Sequence, residues 1–102
     1  MIDLITQKRE EVAEHCRRLN VRRLDVFGSA ARGDFNPEKS GIDFLVEFGE
    51  HERLNRFHQY FDLANSLEDL FERKVDLVVA RHFDNPYFRA SVEASREAVY
   101  VS

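Results

Sequence analysis

Apolar residues recur along the chain with two different periods, and the points where the period changes mark the elements. Over residues 3 to 19, DLITQKREEVAEHCRRL, Ile5, Val12, Cys16 and Leu19 form one stripe with charge on the opposite side. That pattern predicts an amphipathic helix with Asp3 as candidate N-cap. VRRLDVF (21–27) alternates instead, with Leu24 and Val26 on one face, and predicts a strand. Gly28-Ser29 breaks it, and Ser29 is placed to cap a short helical turn of Ala30, Ala31 and Arg32 that Gly33 ends. DFNPEKSG (34–41) reads as a loop by its Asn-Pro, Ser and Gly content. IDFLVEF (42–48) then sets Ile42, Phe44, Val46 and Phe48 against Asp43, Leu45 and Glu47, a second strand.

Residues 54 to 72 return to helical spacing, with Leu54, Phe57, Phe61, Ala64, Leu67 and Phe71 on one stripe. This is the longest predicted helix and the expected main cover of a sheet. KVDLVVA (74–80) is a nearly continuous β-branched run, read as a central strand interrupted by Asp76. NPYFRASVEASREA (85–98) opens on an Asn-Pro start signal and reads as a helix, and VYVS at the end offers a short terminal strand. The order αβ(turn)βαβα predicts an α/β (α+β) layer, a small mixed sheet with helices packed on it.

Composition narrows the class. The 102 residues support one domain, 1–102, and 43% hydrophobic against 33% charged is ordinary globular usage. A net charge of −4 excludes a general nucleic-acid or anionic-membrane binder, which needs a basic face. Local backbone N–H groups and a metal ion can still hold a small phosphate ligand. The one cysteine, Cys16, leaves no partner for an intrachain disulfide and points to a reducing compartment. With no signal-peptide h-region and no apolar run of membrane-spanning length, a cytoplasmic protein is expected.

The candidate chemistry lies between residues 26 and 48. A glycine after a strand lets a ligand approach the backbone, and Ser29 with the next turn supplies donors for phosphate. If the two acid-bearing strands are neighbours, Asp43 and Asp76 converge near that turn, as carboxylates that hold Mg²⁺ beside phosphates do. Asp76 has a structural reading as well, an acid paired with an Arg or Lys inside a strand. Arg32 suits a phosphate, or equally a surface pair with Asp34. Arg53 and His58 repeat the Arg-x4-His spacing of HEPN-type ribonucleases, but three strand signals argue against that all-helical class. Core packing for Cys16 and solvation for His15 are expected.

GSAARG…SGIDFLVEF…KVDLVV resembles the minimal nucleotidyltransferase (MNT) family of the DNA polymerase β superfamily. The family pattern is Gly-Ser, a short spacer, Asp-x-Asp on a strand and a third acid on the next strand. The resemblance implies a polymerase β-like core, with Gly28, Ser29 and Arg32 at the nucleotide phosphates. It implies Asp43 and Asp76 as the catalytic, metal-holding acids. The family's first acid falls on Gly41, which offers no ligand. The implied activity is transfer of AMP from ATP (or another NTP as substrate) to a partner-protein hydroxyl with Mg²⁺. The implied setting is the antitoxin of a HEPN/MNT pair, with a helical HEPN-type toxin as partner. The other reading of Gly41 is a non-catalytic binding module that neutralises such a partner by covering it. Aromatic residues Phe57, Tyr60, Phe61, Phe71, Phe83, Tyr87 and Phe88 exceed what so small a domain is expected to bury, so an exposed interface patch is anticipated, and self-association stays open.

Overall fold

A computed structural model of the chain describes residues 1–33, 41–50, 55–80 and 85–102. Residues 34–40 of the predicted 34–41 loop, Asp34 among them, and the residues Arg53, Leu54 and Phe83 lie outside them.

The N-terminal amphipathic segment folds as two helices rather than one, α1 (Asp3–Gln7) and α2 (Arg9–Arg18). The break falls at Lys8, whose Nζ donates to the Leu70 carbonyl at 3.0 Å. The break lets Ile5 of α1 and Val12 and Cys16 of α2 all enter the core. Asp3 is not the N-cap; Ile2 is, and Asp3 is the first helical residue, where its charge favours the helix dipole. Four strands follow: β1 (Val21–Phe27), β2 (Ile42–Phe48), β3 (Val75–Val79) and β4 (Glu97–Val101). Their spatial order is β3-β2-β1-β4, with β1 antiparallel to both β2 and β4 and β3 parallel to β2. The parallel pair is joined through α4 (Arg56–Phe71), as parallel strands require a crossover.

One sheet face carries Leu24, Val26, Ile42, Phe44 and Val46, and packs against α1, α2 and the Leu63–Leu67–Phe71 stripe of α4. The other carries Phe27 and Leu45 and is covered by Val92 of α5 (Pro86–Ser95). Four further points differ from the sequence expectation. First, β3 lies at the sheet edge, not in its centre. A β-branched run reads alike in either place, but here burial alternates, with Val75 and Leu77 inside and Asp76 exposed. Second, α5 stops at Ser95 and the terminal strand starts at Glu97, because Arg96 already has extended backbone. The predicted Asn85 start signal holds, its side chain accepting from the Tyr87 and Phe88 amides. Third, α4 is rotated from the predicted stripe: Gln59 points inward and donates to the Leu19 carbonyl at 2.9 Å. Phe57 and Phe61 are left 66% and 48% exposed. Fourth, the short helix α3 (Ser29–Arg32) is capped by Gly28, and Ser29 is its first residue. Among the described residues no helix is long and apolar enough to cross a membrane.

Candidate active site

The site grows from the junction of β1 and α3. Phe27 ends β1 opposite Asp43 of β2, so the chain turns at Gly28 directly beside the Asp43 side chain. Gly28 adopts φ +73°, ψ −148°, backbone that side-chain-bearing residues rarely adopt. A β-carbon there would also lie 2.8 Å from Asp43 Oδ2. Two independent restraints therefore demand glycine, and the close approach of backbone to carboxylate is what its missing side chain permits. Gly33 ends α3 in the left-handed conformation, as the sequence predicts.

Asp43 and Asp76 are direct register partners across the parallel β2–β3 pair, and their carboxyl groups share a hydrogen bond. The structure thus brings together the two acids singled out in the sequence. Because β3 is at the edge, Asp76 reaches solvent and meets Asp43, rather than sitting inside the sheet against a buried cation. The Asp43 carboxyl is pushed up to about 6. Burial is the main cause, followed by repulsion from Asp76 and the hydrogen bond with it; the positive charge of Arg32 opposes them. Arg32 is exposed on α3, near enough for its charge to act on Asp43. Ser29 is half-buried at the start of the same turn.

A cleft of about 420 Å³ opens over the acids, walled by Phe27, Tyr60, Val78 and Phe88. Its donor set is two hard carboxylates, and among the described residues no group of three or more His, Cys, Asp or Glu converges as a metal cage. That set fits Mg²⁺, which takes one or two carboxylates and completes its shell with water and phosphate oxygens. Gly41 precedes β2, and a β-carbon added there would lie 3.1 Å from the Lys74 carbonyl oxygen. The position lacks a ligand and is also tight against the start of β3.

Sequence reasoning missed the ion network beneath α5. Asp25 is fully buried on β1 and accepts from Arg96 Nε at 2.7 Å and from Arg23 Nε at 2.9 Å. An acid between apolar residues in RLDVF was a legible sign of a buried charge needing partners. Its partner Arg96 is distant in sequence and carried no such sign.

Comparison with known proteins agrees with this geometry. The sequence profile of the nucleotidyltransferase domain family matches residues 9–99. Protein adenylyltransferase MntA of Thermococcus cleftensis is 35% identical over 98 residues, 96% of this chain and 89% of the relative. A solved structure described as a minimal nucleotidyltransferase superposes with TM-score 0.74 at 34% identity, covering 93% of this chain and 92% of its own. The fold is also that of a Shewanella oneidensis MNT antitoxin in complex with a tri-AMPylated HEPN toxin, with TM-score 0.64 at 18% identity over 96% of this chain and 73% of that one. This chain is a member of the nucleotidyltransferase domain family, similar over nearly its whole length to a minimal nucleotidyltransferase and to a protein adenylyltransferase.

Proposed function

We propose that this chain binds a nucleoside triphosphate at the Gly28 turn and transfers its nucleotidyl group, AMP from ATP, to a hydroxyl on a HEPN-type helical partner protein. The observation that carries the reading is the adjacency of Asp43 and Asp76 with a glycine-only backbone approach beside them. Asp43 and Asp76 are the residues to hold Mg²⁺, which when bound neutralises charge that develops on the phosphates. Gly28 leaves room for the phosphate chain, and Ser29 and Arg32 contribute a hydroxyl and a positive charge at its edge. In the transfer, the acceptor oxygen forms a bond to the α-phosphorus and the bond to the β-phosphate oxygen breaks. Pyrophosphate leaves, and the hydroxyl proton passes to solvent. None of these residues needs to be a nucleophile. Support comes from the relative named as a protein adenylyltransferase, and from the related fold solved with AMP-PNP and with an AMPylated HEPN toxin.

Gly41 favours a second reading, a module that keeps the fold and neutralises its partner by complex formation alone. In other enzymes, removal of one preorganised electrostatic contact lowers kcat by roughly 10²–10³, and a metal ligand matters at least as much. The test is label transfer from α-labelled ATP with Mg²⁺ to the protein encoded beside this chain, for the unaltered protein and for Gly41→Asp. We expect transfer to rise by at least about a hundredfold in Gly41→Asp, the low side of that range. A small loss of thermal stability is expected as well, since the new β-carbon crowds the Lys74 carbonyl. No transfer by either protein, with the partner still bound and still bound after Asp43→Asn and Asp76→Asn together, makes the binding module the function.

A further inference from the structure

The Gly28 turn is held from behind by a residue on a different element. The Gly28 amide donates to Ser95 Oγ at 3.0 Å, across the whole gap between β1 and the last residue of α5. Ser95 Oγ in turn donates to the Ser91 carbonyl at 3.3 Å, so the hydroxyl has a fixed orientation. The next residue, Arg96, is anchored to buried Asp25, three positions before Gly28 on the same strand. The end of α5 is therefore pinned at two points, one on β1 three residues before the turn and one at the turn itself. Along the rest of α5 only Val92 is buried.

This arrangement explains how an unfavourable backbone conformation persists at Gly28. Glycine has wide freedom in solution, and nothing intrinsic selects φ +73°, ψ −148°. Such conformations persist where surrounding groups over-determine them. The hydrogen bond that the Gly28 N–H donates to Ser95 Oγ fixes the plane of the peptide preceding Gly28, and with it the separation between backbone and Asp43 carboxylate. We propose that Ser95 is a positioning residue for the nucleotide turn, acting through the Gly28 amide, and that α5 sets the geometry of the phosphate-binding backbone. The inference rests on the nucleotide-binding reading and deepens it: Ser95 touches no substrate, and by accepting the Gly28 N–H it holds in place the turn against which, in that reading, the phosphates lie.

The experiment compares the unaltered chain, Ser95→Ala and Ser95→Thr, each as the full chain. Two quantities are read: the Kd for a fluorescent ATP analogue with Mg²⁺, and the hydrogen-exchange rate of the Gly28 amide by NMR. Loss of the bond is expected to weaken analogue binding roughly fivefold to tenfold, the scale of one hydrogen bond. Gly28 exchange is expected to accelerate by a similar factor or more, while the thermal midpoint moves by only a few degrees. Ser95→Thr, which keeps the hydroxyl, is expected to restore both. Analogue binding by Ser95→Ala as tight as the unaltered chain overturns the proposal, as does a loss of binding that Ser95→Thr fails to restore. If the unaltered chain binds no analogue, the nucleotide reading itself is overturned and the positioning role falls with it; Gly28 exchange unchanged in Ser95→Ala overturns the brace alone.

Discussion

At the scale of single residues, the site is a balance between two like charges and one close backbone. Asp43 and Asp76 are register partners across a strand pair, and the charge of Asp76 makes Asp43 harder to ionise. For Asp43 the direction has a consequence for stability. In the unfolded chain its carboxyl titrates near the ordinary aspartate value of about 4; in the folded chain it titrates at about 6. Between those values the folded state holds the extra proton, so folding is favoured at the acid end and this contribution is lost as pH rises through about 6. The prediction compares urea midpoints of the metal-free unaltered chain with those of Asp43→Asn. The difference in favour of Asp43→Asn is expected to grow from pH 4.5 to pH 7 and then level. A constant difference across that range means that neither burial nor Asp76 raises Asp43 as described. Gly28 belongs to the same balance, since any side chain there would collide with the Asp43 carboxylate.

At the scale of elements, α5 and β4 are the least predictable part of the chain and the part that completes the site. Asp25 is fully buried and satisfied by two arginines, Arg96 one-quarter exposed and Arg23 less than half exposed. Removing one partner of a buried charge pair leaves the other uncompensated. Arg96→Ala is therefore expected to destabilise by about 3 kcal/mol, near the lower end for such pairs because Arg23 remains. The measurement is chemical denaturation at neutral pH. A loss below about 1 kcal/mol shows a pair with the strength of a surface bridge. The edge strand β3 is managed differently: the Tyr60 hydroxyl donates to the Leu77 carbonyl at 2.7 Å and occupies an acceptor that would otherwise face an incoming strand. The sequence showed Tyr60 as one more aromatic in a helical stripe; its polar end acquired this task only when β3 was placed at the edge.

At the scale of the whole molecule, the aromatic residues divide into those that build the core and those that face outward. Phe44 and Phe71 stack inside with centroids 6.0 Å apart. Phe57 and Phe61 pack on each other at 4.6 Å on the surface, beside an apolar groove of about 470 Å³ along the edge of β3. The excess of aromatic residues over what one small core can bury was visible in the sequence, and the exposed patch agrees with it. Which members were left outside was not visible, because it depends on the rotation of α4 about Gln59. In the proposed toxin–antitoxin reading this exposed patch is the surface expected to seat a helical partner. Replacing Phe57 and Phe61 together by Ser is expected to weaken capture of the partner at least tenfold, the loss typical of central aromatic anchors. ATP-analogue affinity is expected to remain unchanged. Undiminished capture by the doubly substituted chain places the partner elsewhere.

The linear order of residues determined the elements, the strand faces, the glycine turn and the acids that belong to it, because periodicity and turn chemistry act over a few neighbouring positions. The helix-turn boundary at Gly33, the Asn85 cap and the acid-bearing positions of β2 and β3 were all legible for that reason. Tertiary structure alone decided that β3 is an edge, that the N-terminal helix breaks at Lys8, that Asp25 is buried with Arg96, and that Ser95 reaches the Gly28 amide. Each of these depends on groups far apart in sequence meeting across the sheet. Their pairing is set by strand order and by how each helix settles on its face, quantities that no local pattern encodes.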